Sequence, residues 1–211
     1  MHGGLRLRDD SRHEPLTPLW RSALAKPPKP IEGELVENRI VIWNIEDSRR
    51  LYQAGFFGKP LGVPKPKGAD FNAPLIIDLN EGYYLAKKKK LKIVETGDRS
   101  PVGLGQIEEM CRREYVDFEQ KFLVYKAFRD SGYVVTPGLK FGCDFAVYEH
   151  GPGIDHAPFL VQVTKPSDMV TATSIVLSGR LATTVRKQFI TAVADVKSKR
   201  VSFLGFDWWR A

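Results

Sequence analysis

The sequence predicts an α/β fold in two domains: a small N-terminal domain of mixed α/β structure (34–114) and a C-terminal α/β domain around a central mixed sheet (115–211). Three observations support this prediction. The chain has 211 residues, more than the roughly 100–150 of a typical domain. Segments with β-type alternation flank helical segments in both halves. A loop-like stretch at 95–103 separates the first half from a second that begins with a strongly helical run.

The composition is typical of a soluble globular protein, with 43% hydrophobic and 27% charged residues. No apolar run approaches the roughly 20 residues that span a bilayer, and the N-terminus lacks the apolar centre of a secretory signal. We therefore expect a cytoplasmic protein with no membrane partner. The formal net charge of +7 favours a polyanionic partner such as a nucleic acid.

Two cysteines, Cys111 and Cys143, are too few for a disulfide framework or a four-ligand zinc site. We expect two small buried side chains in a reducing compartment. From sequence alone, a single bridge between them stays open.

The first domain is preceded by a proline-rich stretch, 1–33, with scattered Arg and Lys, which predicts a flexible basic arm. Strands are then expected within 34–45, followed by a short helix with Ser48 as its N-cap. After the strand LIIDL, Asn80 is expected to cap a second helix, whose last turn carries a run of lysines.

A loop inserted in this domain, 58–74, is rich in Pro, Gly and Lys. Loops of this length inside a compact domain are uncommon unless they are functional or disordered.

The second half opens with the helical run 104–131, in which aromatic residues recur at spacings of four and three. This stripe predicts core packing rather than a cofactor site. Strands are expected near 133–136, 144–148 and 159–163, then a helix at 168–185 and strands at 189–193 and 201–206. The aromatic residues of the stripe are Phe118, Phe122, Tyr125 and Phe128.

Three side chains of this half are suited to acid–base chemistry. Tyr148 ends one predicted strand and His156 opens the next, with the turn signature GPG between them. Lys187 lies where the following helix meets its strand. Because neighbouring strands are about 4.8 Å apart, the three side chains are expected at one end of the sheet.

Such a set is sufficient to cleave an RNA phosphodiester without a metal ion or cofactor. Attack by the ribose 2′-hydroxyl requires a base, and the departing 5′-oxygen requires an acid on the opposite side. Histidine suits the acid, while tyrosine is a base only beside a cation. A lysine stabilises charge growing on the phosphate. The products would be a 2′,3′-cyclic phosphate and a 5′-hydroxyl.

Spacing alone leaves other interpretations open. His150 is a rival acid in the same turn, and His2 and His13 lie in the predicted arm. A metal-dependent nuclease of restriction-enzyme-like fold could begin at Asp144, but the later strand reads QVTK and lacks the acidic residue expected two positions before its lysine.

A family resemblance adds weight to the first interpretation. The run RDSGYVVTPGLKFGCDFAVYEHG, followed by HAPFLVQV and RLATTVRK, resembles the catalytic domain of the archaeal tRNA-splicing endonucleases. In that family a GY-V--G-KFG-DF-VY segment is followed by H---LV-V and by a helix ending in VRK. The segments LYQAGFFGKPLG and LIIDLNEGYYLAKKKKLKI resemble the family's N-terminal domain.

The resemblance implies roles for individual residues. The family's catalytic tyrosine, histidine and lysine fall on Tyr148, His156 and Lys187, as general base, general acid and transition-state stabiliser. Arg180 matches an arginine that stacks on a flipped-out bulge base, and Arg200 is a candidate second arginine. The implied substrate is a precursor tRNA with a bulge–helix–bulge motif.

Two departures from the family's homotetrameric members imply a partner. The turn that is acidic in those members keeps Asp195 but is otherwise basic here, so docking onto an identical subunit is not expected. The inserted loop resembles that of crenarchaeal members, in which a lysine contacts RNA, making Lys59, Lys65 and Lys67 candidates. We expect a catalytic subunit in an (αβ)₂ tetramer with a separate structural subunit.

Two further alternatives remain at this stage. One is a non-catalytic structural subunit of the same assembly, which would have no need of the three side chains together. The other is a basic RNA-binding module without chemistry.

Overall fold

A computed structural model describes residues 30–64, 66, 68–154, 156–184 and 187–205, and within the last helix it leaves out the side chains of 178 and 181–184. The predicted arm up to residue 29 and two candidate lysines, Lys65 and Lys67, lie outside the described residues. None of the described helices is both long enough and apolar enough to cross a membrane.

The N-terminal half is built on a five-stranded mixed sheet in the order β3-β4-β2-β1-β5. Strands β1 and β5 run parallel and the other neighbours antiparallel. The first strand begins inside the stretch assigned to the arm. The elements of this half are β1 (Ile31–Val36), β2 (Arg39–Ile42), α1 (Ile45–Gln53), β3 (Lys59–Pro60), β4 (Leu75–Asp78), α2 (Leu79–Lys87), β5 (Leu91–Glu95) and α3 (Leu104–Glu114).

The C-terminal half carries a second five-stranded mixed sheet, in the order β10-β9-β8-β7-β6. Strands β8 and β9 run parallel and are joined by helix α5, as a parallel pair requires. The predicted fold class is confirmed. The elements of this half are α4 (Phe118–Asp130), β6 (Val134–Pro137), β7 (Phe145–Tyr148), β8 (Phe159–Thr164), α5 (Ala172–Thr184), β9 (Gln188–Asp195) and β10 (Arg200–Gly205).

Two helices begin earlier than the sequence pattern predicted. Asn44, not Ser48, caps α1, because its side chain accepts a hydrogen bond from the Asp47 amide at 2.9 Å. Ser48 is buried one turn later. Asp78, not Asn80, caps α2 and accepts from the Glu81 amide at 2.8 Å.

The long helical run is divided in two. Asp117 adopts a left-handed conformation, with φ 58°, and separates α3 from α4. Helix α3 packs on α2 of the first half, whereas α4 packs on the C-terminal sheet. The break therefore lets one helical sequence serve both halves.

One hydrophobic core spans both halves, and the aromatic stripe of α4 contributes to it as predicted. Tyr84 of α2 and Tyr125 of α4 meet edge to face with ring centroids 5.5 Å apart. Phe118, Tyr125 and Phe128 are buried, and Phe122 packs at the margin. The two halves are thus held against each other by packing as well as by the chain.

Candidate active site

The sheet topology brings three strand ends to one edge of the C-terminal half. Strand β7 is antiparallel to β8, and β8 is parallel to β9, so the end of β7 meets the beginnings of β8 and β9. Tyr148 is the last residue of β7, and Lys187 immediately precedes β9. His156 lies in the connection leading into β8. The three side chains predicted from sequence therefore share this edge.

Lys187 is tied to the segment that carries His156. Its ammonium group donates a hydrogen bond to the Ala157 carbonyl oxygen, with Nζ and O 2.5 Å apart. The next amide, of Gln188, donates to the Pro158 carbonyl at 2.8 Å. Two consecutive bonds thus fix the approach to β8 against the start of β9, one residue from His156.

The aromatic ring of Phe141 supports the same ammonium group, since Lys187 Nζ lies 5.4 Å from the ring centroid. Neither the Ala157 carbonyl nor Phe141 emerged from the sequence. A main-chain acceptor leaves no residue-type signal, and Phe141 lies in a short 3₁₀ turn, Leu139–Phe141, whose position relative to Lys187 is set by tertiary structure.

Tyr148 and His156 differ in exposure. Tyr148 is half-buried and packs against a small second hydrophobic cluster on this face of the sheet, whereas His156 is exposed. The cluster consists of Cys143, Ala146, Ala157, Leu160 and Phe189. The Tyr148 side chain is therefore supported by packed apolar residues, whereas the imidazole of His156 is accessible to a large substrate.

The turn between them contains two glycines in conformations that side chains rarely adopt, Gly151 with φ 127° and Gly153 with φ 91°. The Ile154 amide donates to the Gly151 carbonyl at 3.1 Å, which closes the turn. His150 lies exposed in the same turn.

The predicted RNA contacts are distributed more widely. Arg180 is exposed on α5, the helix that leads to Lys187. Lys59 is exposed on β3, where it lines a cleft of about 550 Å³ between the halves. Arg200 is the first residue of β10 and lies opposite Asp195 in the β9–β10 ladder, at the far end of β9. Because β9 has 8 residues at about 3.3 Å each, roughly 25 Å separate Arg200 from the edge that carries Lys187.

The carboxylate of Asp144, the alternative metal ligand, is occupied by hydrogen bonds and an ion pair within the fold. It lies before β7, at the end opposite Tyr148. Its carboxylate accepts hydrogen bonds from the Val163 amide at 2.8 Å and from Gln162 Nε2 at 2.7 Å, and pairs with Lys121 at 3.0 Å. Across the described ranges, no group of three or more His, Cys, Asp or Glu side chains converges on one point.

The two cysteines are free and buried, so no bridge joins them. Burial raises the pKa of the Cys111 thiol to about 12 and that of Cys143 to about 11. Both thiols therefore stay protonated near neutral pH and are poor nucleophiles.

Comparison with known proteins adds two domain matches. Residues 31–103 match the tRNA intron endonuclease N-terminal domain, and 118–202 match the tRNA intron endonuclease catalytic C-terminal domain. The second match includes Tyr148, His156, Arg180 and Lys187.

Similar full-length proteins are tRNA-splicing endonucleases. That of Sulfurisphaera tokodaii is 40% identical over 177 residues, which cover 83% of this chain and 97% of the relative. That of Hyperthermus butylicus is 41% identical over 179 residues, covering 84% and 98%. That of Pyrobaculum aerophilum is 42% identical over 174 residues, covering 81% and 94%.

Proposed function

Because this chain belongs to the tRNA-splicing endonuclease family and carries its catalytic domain, we propose that it is a catalytic subunit that cuts precursor tRNA at bulge–helix–bulge intron junctions without a metal ion. The observation that carries this proposal is the placement of Tyr148, His156 and Lys187 at one edge of the C-terminal sheet.

The reaction is an in-line transesterification. The phenolate of Tyr148 takes the proton of the ribose 2′-hydroxyl, whose oxygen bonds to phosphorus. The bond from phosphorus to the 5′-oxygen breaks, and the imidazolium of His156 donates a proton to that oxygen. The products are a 2′,3′-cyclic phosphate and a 5′-hydroxyl.

Lys187 stabilises the charge that grows on the non-bridging oxygens. An ammonium group has three N–H donors, and one of them is directed to the Ala157 carbonyl. Two donors remain for the phosphate. Because the group is already held in place, little reorganisation is needed as the transition state forms.

Cationic side chains on several elements bind the RNA. Arg180 presents an exposed guanidinium plane on which a flipped-out bulge base can stack. Lys59, and with it Lys65 and Lys67 of the same loop, contact the RNA backbone. Arg200 remains a candidate only for RNA that extends to the far end of β9.

The turn between β9 and β10 supports the need for a structural partner. The Asp195 carboxylate is used within the turn, since it accepts from the Lys197 amide at 2.9 Å and the Ser198 hydroxyl at 2.7 Å. These bonds, led by that of Ser198, lower the pKa of Asp195. The exposed charges of the turn are Lys197, Lys199 and Arg200, which do not suit a basic groove on an identical subunit. We infer an (αβ)₂ assembly whose other subunit supplies the acidic surface.

The test combines the chain, its candidate partner and a bulge–helix–bulge RNA in EDTA. Cleavage with cyclic phosphate ends is expected, and its rate is expected to fall by about 100-fold or more in His156→Ala and Lys187→Ala. Cleavage that requires Mg²⁺, or full activity of both variants, would overturn the proposal. Light scattering of the chain alone and with its partner tests the assembly, and full activity of the chain alone would contradict it.

A further inference from the structure

A contact between the two halves lies on the turn that joins Tyr148 to His156. The ring of Phe56, from the segment after α1, occupies the place where a side chain at Gly151 would be. An ideal Cβ on Gly151 would lie 2.5 Å from Phe56 Cε2 and 2.6 Å from Cδ2. Gly151 is buried and has φ 127°. The absence of a side chain is what lets the ring rest on the turn's backbone.

Phe56 is itself held in an uncommon conformation. Its φ of 55° is left-handed, which residues other than glycine seldom adopt. Its amide donates to the Tyr52 carbonyl at 2.6 Å, and its ring meets that of Tyr52 edge to face at 5.2 Å. Strained backbone of this kind persists only where the surroundings fix it.

The residues on either side of Phe56 are fixed by a buried ion pair. Arg129 Nη1 donates to the Gly55 carbonyl at 2.7 Å, and Glu81 Oε2 accepts from the Gly58 amide at 3.1 Å. Arg129 also donates to the Val135 carbonyl of β6 at 3.1 Å. The segment that carries Phe56 is thus bonded to both halves.

The inserted loop touches the same turn at a second point. The Pro66 carbonyl oxygen lies 3.4 Å from the position of an ideal Cβ on Gly153, whose φ is 91°. Two glycines of one turn therefore face the N-terminal half. On its other side, the connection is fixed by the bond from Lys187 to Ala157.

We propose that Phe56 is a positioning residue for cleavage: through Gly151 it sets the turn that presents His156. This inference rests on the proposed role of His156 as general acid. The turn is supported from one side by Phe56 and Pro66 and from the other by Lys187, while the imidazole itself is exposed. A displacement of about 1 Å in a catalytic group can cost on the order of 100-fold in rate.

The test measures single-turnover cleavage by the complete assembly. Phe56→Ala is expected to lower the rate of the bound complex by about 10- to 100-fold, with RNA affinity within about 3-fold. Phe56→Tyr keeps the ring and is expected to restore most of the rate. Gly151→Ala is expected to match Phe56→Ala, whereas Gly97→Ala is the control. Gly97 has φ 98° but nothing within 4 Å of its ideal Cβ, so it reports backbone strain alone.

A modified substrate separates positioning of the acid from general damage. An RNA with sulfur in place of the 5′-oxygen leaves as a thiolate and needs no proton, so it should cut equally fast with wild type and Phe56→Ala. A second readout is the double variant Phe56→Ala/His156→Ala, in which the Phe56 substitution should have no further effect. If Phe56→Ala does not fold, the same measurements are made on Phe56→Leu.

An error in the assignment of His156 as the acid and an error in the positioning role of Phe56 give different results. If the sulfur substrate does not rescue His156→Ala, the proposed acid is wrong. If it rescues His156→Ala but not Phe56→Ala or Phe56→Leu, the acid stands and the positioning role is wrong. Activity of Phe56→Ala equal to wild type on the natural substrate would likewise overturn the inference.

Discussion

Arg129 and Glu81 form an ion pair between the two halves of the chain, with Nη2 and Oε1 3.0 Å apart and side chains only 3% and 11% exposed. Burying two charges is costly unless their remaining hydrogen-bonding groups find partners. Here the guanidinium also donates to the Tyr125 hydroxyl at 2.9 Å and to main-chain carbonyls of both halves. Its central carbon, Cζ, lies 4.2 Å from the centroid of the Phe57 ring. The pair fixes how the halves meet.

Removal of the cation is expected to destabilise the fold in a pH-dependent way. Arg129→Met leaves Glu81 buried without its partner, at a cost of about 3–5 kcal/mol. Burial, with help from Asp78, raises the pKa of Glu81 to about 7, and Arg129 opposes that rise. Without Arg129 the folded-state pKa rises further, so the variant keeps a proton that wild type loses above pH 7. Its stability relative to wild type therefore falls by up to about 1.4 kcal/mol per pH unit above 7.

Urea unfolding at pH 6 and pH 9 measures this effect. Arg129→Lys is the control, because it retains the charge but not the planar set of donors. Arg129→Lys should lower the free energy of unfolding by the same amount at pH 6 and at pH 9. A gap between Arg129→Met and wild type that stays constant from pH 6 to pH 9 would contradict the assigned role of the pair.

Lys187 is expected to act on the rate of the chemical step. Lys187→Ala should lower kcat by about 10²–10³-fold, the usual cost of removing one preorganised donor to a developing oxyanion, with RNA affinity little changed. Lys187→Arg should recover only part of the lost kcat, because a guanidinium cannot direct one N–H to the Ala157 carbonyl and two to the phosphate in the same geometry. Lys92→Ala, an exposed lysine on β5, is the matched control. Equal kcat for Lys187→Ala and Lys92→Ala would refute the assignment.

The main elements of the fold were accessible from sequence because they depend on local pattern, whereas the roles proposed for the site residues came from the family resemblance. Alternation located the strands, and GPG located the turn, which was enough to predict that Tyr148, His156 and Lys187 share a sheet edge. Local pattern did not locate the cap of α1 at Asn44, since the choice between Asn44 and Ser48 depends on how the preceding strand enters the helix. The break at Asp117 was missed because both flanking segments are helical.

Contacts between segments that are distant in the chain lie outside the reach of such patterns. Phe56 and Gly151 are close only because the two halves pack around one hydrophobic core, and each residue looks ordinary in its own segment. The composition of the inserted loop likewise gives no sign of a buried residue, yet Phe71 near its end is 6% exposed. The Phe71 ring packs edge to face on that of Tyr52, with centroids 5.4 Å apart. Deleting 61–74 would remove part of the core as well as the loop.

Charge removal is therefore the cleaner test of RNA binding by the loop. The triple variant Lys59→Ala/Lys65→Ala/Lys67→Ala is expected to weaken binding of an uncleavable 2′-deoxy substrate while the unfolding midpoint stays unchanged. Each lost phosphate contact should reduce the slope of log affinity against log salt by roughly 0.7–0.9. Fluorescence anisotropy at several salt concentrations measures both quantities. An unchanged slope would show that these lysines of the loop make no contact with RNA phosphates.

Arg180 is expected to contribute through its planar face. Arg180→Ala should weaken binding of the uncleavable RNA by about 10- to 100-fold, corresponding to the loss of about 1–3 kcal/mol of base stacking. Arg180→Lys should restore little, because an ammonium has charge but no plane. An RNA with an abasic bulge nucleotide is the control, and on it wild type and Arg180→Ala should bind alike. A difference that persists on the abasic RNA would indicate a phosphate contact instead.

The thiols are expected to be inert in the folded protein. Burial raises the pKa of Cys111 to about 12 and that of Cys143 to about 11, so at pH 8 only about one thiol in 10³–10⁴ is ionised. Alkylation with iodoacetamide at pH 8 should modify neither cysteine in the native protein and both after unfolding in guanidinium without reductant. Cys111→Ala should lower the count in the unfolded state by one. Rapid native alkylation of Cys143 would show that the segment around β7 opens, because its thiol reaches reagent only when the cluster beneath Tyr148 separates.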